Sequence, residues 1–211
     1  STFGVAPTFC QSPLSAPVDV VIGEPATVGA GSDQTICSNT SASITGTRGG
    51  SAISTTWTTS GTGTFGNASN LSTTYAPSAA DITAGTVTLT ITTNNPSGPC
   101  LAVSDFLVLT IVRGPQVNAG ADDATCQGTP YTVSDATASN YATITWTENG
   151  AGSITSGQGT LTPTYTPGAA EANATVTLTL TATGAAPCAN ATDTKTLYVD
   201  RSPVATAGPV Q

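Results

Sequence analysis

Thr86-Val87-Thr88-Leu89-Thr90-Ile91 recurs as Thr175-Val176-Thr177-Leu178-Thr179-Leu180, 89 residues further on. Each run alternates aliphatic with threonine at a period of two, so each reads as a β-strand with one buried face. Val87, Leu89 and Ile91 point inward, while Thr88, Thr90 and Thr92 point outward, where a β-branched side chain favours the strand and its hydroxyl stays wet. Working outward, the copies extend. Ala30-Gly31-Ser32-Asp33-Gln34-Thr35-Ile36-Cys37 returns as Ala119-Gly120-Ala121-Asp122-Asp123-Ala124-Thr125-Cys126. Trp57 returns as Trp146, Thr74-Tyr75-Ala76-Pro77 as Thr164-Tyr165-Thr166-Pro167, and Pro99-Cys100 as Pro187-Cys188. Matches in order with so little drift mark an internal repeat.

The repeat divides the chain into units at 27–114 and 115–202. Residues 1–26 read as the C-terminal part of a preceding repeat, because Cys10 lies 90 before Cys100 and Val18–Ile22 falls where Val108–Val112 falls one repeat later. Residues 203–211 read as the start of a following one, and Val18–Ile22 is expected to add no strand to the unit 27–114. With no Met and no visible signal peptide, the sequence reads as a processed product or a window on a longer chain.

In the first unit strands are expected near 33–37, 42–46, 53–59, 63–66, 72–76, 86–93 and 104–112. One helical turn is expected over Ser78–Ile82, between a capping Ser and Gly85. Seven short strands with a tryptophan on the third predict an all-β fold, tandem immunoglobulin-like sandwiches, with Trp57 and Trp146 in the cores.

Composition excludes several functions. The 211 residues include no His and only 4 Lys+Arg against 12 Asp+Glu, a net charge of −8. The usual general base and commonest metal ligand are therefore missing, and no cationic face exists for nucleic acid. No apolar run is long enough to span a membrane as a helix. A hydrophobic share of 38% in clean alternation argues against disorder. No enzyme activity and no catalytic residue, cofactor or metal site is expected: the one lysine, Lys195, is replaced by Leu107 in the first repeat, and the two repeats share no acid pair at positions expected to face one another.

The remaining carboxylates have structural readings. Asp33, Asp122 and Asp123 read as solvated or turn-capping, although an end loop could offer them to calcium. Asp105 and Asp193 read as charges protecting a sheet edge. Asn-x-Ser/Thr at Asn39, Asn67, Asn70, Asn173 and Asn190 reads as polar loop.

Ala-Gly-x-Asp-x-Thr-x-Cys, Thr-Trp-Thr, Gly-Thr-Phe, Thr-Tyr-x-Pro-x-Ala-Ala-Asp, Val-Thr-Leu-Thr-Ile-Thr-Thr and Gly-Pro-Cys together resemble the PKD-like tandem repeats of giant secreted surface proteins of Bacteroidota, the gliding-motility adhesin type. The second repeat departs at Gly152-Ser153-Ile154, which replaces Gly63-Thr64-Phe65. The resemblance implies an extracellular, cell-surface location and a long adhesive filament or stalk whose partners are neighbouring repeats, with surface glycans or other filament chains as further candidates. A glycan-binding module is the alternative, and it requires Tyr131, Tyr141 and Tyr198 to share a face.

Five cysteines in such a chain call for disulfides. Two pairings respect the repeat. Cys37–Cys100 with Cys126–Cys188 makes each repeat self-contained and leaves Cys10 to pair outside the segment. Cys10–Cys37 with Cys100–Cys126 joins sequence neighbours across boundaries. The first is favoured, against one geometric objection: in a sandwich the first strand ends opposite the place where the last begins.

Overall fold

In the computed structural model, residues 4, 23–94, 100–203, 205 and 208 are described. The expectations for residues 1–22, including Cys10 and Val18–Ile22, lie outside them, as does most of 203–211.

The first sandwich contains β1 (Thr27–Gly29), β2 (Gln34–Cys37), β3 (Ala42–Thr45), β4 (Thr47–Gly49), β5 (Thr55–Thr59), β6 (Thr64–Phe65), β7 (Ser72–Ala76), β8 (Thr86–Thr93) and β9 (Ser104–Val112). One sheet has the order β2-β9-β8-β5 and the other β3-β7-β6, with β1 and β4 as a short ribbon. All pairings are antiparallel except β2 with β9, which run parallel and place Cys37 opposite Val112. The second sandwich repeats the plan with β10 (Gln116–Asn118), β11 (Asp123–Cys126), β12 (Tyr131–Thr132), β13 (Thr137–Ser139), β14 (Thr143–Glu148), β15 (Ser153–Ser156), β16 (Thr164–Thr166), β17 (Ala174–Thr183) and β18 (Ala191–Asp200). Its sheets are β11-β18-β17-β14 and β12-β16-β15, with the ribbon β10-β13. This is an immunoglobulin-like β-sandwich twice over. Among the described residues, no helix is long and apolar enough to cross a membrane.

The alternation read from the sequence sets the cores. Val87, Leu89 and Ile91 of β8 and Leu107, Leu109 and Ile111 of β9 line one inner face, and Trp57 of β5 packs in the same core. In the second core Val176, Leu178 and Leu180 surround Trp146. Each indole, 2% and 0% exposed, contributes on the order of 3 kcal/mol by burial. Each also meets the demand of its N–H, donating to Asn70 O at 3.1 Å and Thr160 O at 3.0 Å.

The Ala-Gly-x-Asp motif marks where the chain leaves one edge ribbon for the opposite sheet. Ala30 and Ala119 are fully buried. Gly31 and Gly120 take φ of 88° and 92°, left-handed values that favour glycine. Asp105 and Asp193 do not guard an edge: they accept the N–H of Ala30 and Ala119, each at 2.8 Å. Asp33 and Asp122 are exposed to solvent, but they cap no local turn. They accept from Val108 N and Thr196 N, also at 2.8 Å, so the crossover and the last strand are latched in both directions. Asp123, beside them, accepts from Ala124 N and from the Tyr131 hydroxyl.

Candidate functional site

Two features have enough geometry to carry function: a covalent junction between the sandwiches and a buried carboxylate clamp inside each.

The junction is built by topology. Because β2 runs parallel to β9, Cys37 lies at the end of the first sandwich where the chain leaves it. Ser38 N donates to Val112 O at 2.8 Å, and Gly114 N to Ser38 Oγ at 3.2 Å. Cys188 lies in the connection between β17 and β18, at the end of the second sandwich that faces the first. The two form a disulfide, with Sγ–Sγ 2.00 Å and Cα–Cα 4.9 Å. The Cys188 sulfur lies 3.4 Å from Val112 O. Gly114 leaves room for both sulfurs: a Cβ there would stand 3.2 Å from Cys37 Sγ and 3.8 Å from Cys188 Sγ.

This corrects the expected connectivity. Neither Cys37–Cys100 with Cys126–Cys188 nor the neighbour-joining alternative is formed; among the described residues, Cys100 and Cys126 are free thiols. The geometric objection prevails. Cys37 pairs with Val112 at the end of β9, whereas Cys100 precedes the start of β9 at Ser104. Eight ladder steps of roughly 3.3 Å separate those ends, about 26 Å, far beyond the 7 Å limit between bridged Cα atoms.

The clamp gathers around Asp81 and Glu171. Asp81 belongs to the short helix α1 (Ala79–Ala84), in a capping box with Ser78. It is 2% exposed yet accepts from Thr62 N (2.9 Å), Gly63 N (2.9 Å), Ser78 N (3.0 Å) and Tyr75 Oη (2.8 Å). In the second sandwich Glu171 is 4% exposed and accepts from Ala151 N (2.5 Å), Gly152 N (3.1 Å), Gly168 N (2.6 Å) and Tyr165 Oη (2.6 Å). The loop Gly61-Thr62-Gly63 wraps the first carboxylate and Gly150-Ala151-Gly152 the second. A Cβ on Gly63 would stand 2.5 Å from Ala76 O and 2.6 Å from Tyr75 Oη, so the loop needs bare backbone there. Burial opposes charge on both carboxyls, but the donated hydrogen bonds outweigh it and hold both below the ordinary carboxylate range. Burial and the adjacent carboxylates push both tyrosine hydroxyls upward. Each charged carboxylate is locked by backbone N–H groups and a neutral tyrosine hydroxyl, so the arrangement anchors the loop.

The second core holds a further polar cluster that sequence reading missed. Lys195 Nζ is 2.8 Å from Asp135 Oδ1, with the lysine side chain 2% exposed and the aspartate 43%. The ammonium lies 5.4 Å from the centroid of the Tyr131 ring. Burial disfavours its charge, but the hydrogen bond to Asp135 and the adjacent Tyr131 overcome that and raise its pKa. In the first repeat the corresponding positions hold Leu107, Gly46 and Ala42. The pair is asymmetric, since Asp135 can be rehydrated in place and Lys195 cannot. Asp135→Ala is therefore expected to lower the melting temperature of the second sandwich markedly. Lys195→Leu should be close to neutral, and the double variant should recover most of the loss. Thermal melts followed by Trp146 emission check this; equal losses for the two single variants would refute the asymmetry.

The tyrosines do not assemble a platform. Tyr131 packs against the core on the β12 sheet and donates to Asp123 Oδ2 at 2.9 Å. Tyr198 lies on β18 of the other sheet, with Leu197 and Val199 beside it turned inward, and is 41% exposed. Tyr141 precedes β14 and is 40% exposed.

No family profile and no curated protein matches the chain. Solved structures do resemble it. A three-immunoglobulin-domain fragment of titin, an E-to-A mutated variant, is 14% identical with a TM-score of 0.45, over 86% of this chain and 68% of that one. Immunoglobulin domains 1–4 of Sidekick-1 are 12% identical with a TM-score of 0.45, over 86% and 50%. The insect immune protein hemolin is 14% identical with a TM-score of 0.47, over 82% and 46%. The chain spans about half the length of the last two.

Proposed function

We propose that this chain is a non-enzymatic structural segment of a long, secreted cell-surface filament or stalk that serves adhesion or gliding motility. The observation that carries this reading is the Cys37–Cys188 bridge, which ties one sandwich to the next across Arg113-Gly114-Pro115. A repeat needs no such bridge to fold, since each has its own core. A bridge between repeats instead limits their relative motion, which suits a spacer under load. Persistent disulfides belong to oxidising surroundings, which supports an extracellular setting. The motif resemblance to Bacteroidota surface repeats supports the filament. On this reading 27–114 and 115–202 are the units, and 1–26 and 203–211 belong to flanking repeats. Acidic charge and threonine-covered outer faces keep adjacent filaments soluble.

Small-angle X-ray scattering tests the reading. The oxidised chain should fit one fixed arrangement of the two sandwiches, and the Cys37→Ser, Cys188→Ser double variant should need a spread of arrangements. An oxidised chain that itself requires widely varying interdomain angles would overturn the stalk.

A further inference from the structure

Each repeat carries two cysteines, at opposite ends, and only one of each kind is used between the two sandwiches. The other two are held as their bonded counterparts are. Cys126 occupies the place of Cys37. It pairs with Asp200 in a parallel ladder as Cys37 does with Val112. Its carbonyl accepts from Thr129 N at 2.9 Å, as the Cys37 carbonyl does from Thr40 N at 3.0 Å, and the next residue, Gln127, donates to Asp200 O at 2.7 Å, as Ser38 does to Val112 O. Cys100 occupies the place of Cys188. Its sulfur lies 3.7 Å from Glu24 O, and that of Cys188 lies 3.4 Å from Val112 O; both contacts span 76 residues. The chain entering the first sandwich thus passes Cys100 as the chain entering the second passes Cys188.

We propose that Cys126 and Cys100 are the two halves of the same staple: Cys126 forms a disulfide with the Cys188-type cysteine of a repeat that follows it, and Cys100 with the Cys37-type cysteine of a repeat that precedes it. The partner is another repeat of this kind, and the proposal rests on the stalk reading for its presence. Every junction is then closed by a bridge from the outgoing end of one repeat to the incoming end of the next. Such a head-to-tail contact is heterologous and does not close on itself, so it propagates as a filament. In each bridge two thiols lose two protons and two electrons, which a small disulfide oxidant such as oxidised glutathione accepts as it is reduced to two thiols. Ser202 stands where the closed junction has Gly114. Its Cβ therefore asks the second bridge to shift by a few tenths of an ångström, as the 3.2 Å approach at Gly114 indicates.

The test appends a second copy of residues 115–211 after Ser202, which preserves the Arg-Ser-Pro junction, with Cys126→Ser in the appended copy. After oxidation with glutathione, alkylation and peptide mapping should show loss of Cys126 alkylation and a Cys126–Cys188 peptide beside Cys37–Cys188. A second measurement does not depend on the appended copy folding. The Cys126→Ser and Cys100→Ser variants of the full chain, both in a Cys10→Ser background, are mixed under the same oxidant and should yield a crossed Cys126–Cys100 dimer. Cys126 still fully alkylated in the first experiment with Cys37–Cys188 closed, or symmetric Cys126–Cys126 dimers in unvaried chains, would overturn the proposal. The stalk reading would survive either result if scattering shows a fixed arrangement, so the two fail separately.

Discussion

Reducing Cys37–Cys188 should lengthen the fully stretched chain by about 510 Å. Pulled from its ends, the oxidised protein carries force along residues 1–37, across the bridge and out along 188–211. The sequence separation of 151 shields 150 intervening residues from extension, and at roughly 3.4 Å each these give the expected gain. Most of both cores lies inside the covalent loop. β1, β2 and β18 lie outside it, so in the oxidised state force peels these three strands and stops. Within-repeat bridges would have shielded only about 60 residues in each sandwich, with 38–99 and 127–187 released separately. The loop also restricts the unfolded chain, by about 5 kcal/mol at this length. Single-molecule stretching with and without reductant reads the difference directly. Equal total lengths in both conditions would refute the junction bridge.

Removing the clamp carboxylate should unfold one sandwich while sparing its neighbour. Asp81→Ala leaves the Thr62 and Ser78 N–H groups without an acceptor at a site 2% exposed and strips Gly63 N and the Tyr75 hydroxyl of their charged partner, and Glu171→Ala does the same to Ala151 N, Gly168 N, Gly152 N and the Tyr165 hydroxyl in the second sandwich. Each is expected to cost at least about 3 kcal/mol, since hydrogen bonds to a charged group are worth more than neutral ones and buried unpaired donors are penalised further. Asn or Gln should rescue little, because an amide turns a donor toward donors. Each sandwich carries one tryptophan, so Trp57 emission follows the first and Trp146 the second. The same carboxylates set the acid limit. Their pKa values are lowered on folding from ordinary values of 3.8 and 4.5, so the stabilisation is complete above that range and is lost as pH falls through the lower folded values. Acid unfolding should thus begin below the ordinary carboxylate range. An Asp81→Ala chain with an unchanged melting temperature would refute the clamp.

Much of the architecture was legible because it is written in local periodicity. The spans 72–76, 86–93 and 104–112 match β7, β8 and β9, and the expected helical turn is α1 with Ser78 and Gly85 as its caps. Alternation decides which face is buried wherever it occurs, and the tryptophans sit on an inward phase of it. The edge ribbons β1-β4 and β10-β13 escaped notice because three-residue strands show too little alternation to read.

The site was less legible. Thr-Tyr-x-Pro-x-Ala-Ala-Asp was visible as a motif, yet its meaning depends on Gly-x-Gly loops 18 to 20 residues away in the chain. Lys195 was legible only as a cation that Leu107 replaces in the first repeat; its burial and its partner, 60 residues off, belong to the fold. The paired aspartates of the crossover act across 74 or 75 residues.

What the sequence by itself determined is the repeat, its 89-residue period, the strands and the side chains that face inward. Those follow from chain-local patterns that burial reads at a period of two. Only the tertiary structure decided which cysteines meet. Spacing cannot choose among pairings that all respect the repeat; the choice belongs to the parallel run of β2 beside β9, which carries Cys37 to the outgoing end of its sandwich, far from Cys100 and next to Cys188 of the repeat that follows.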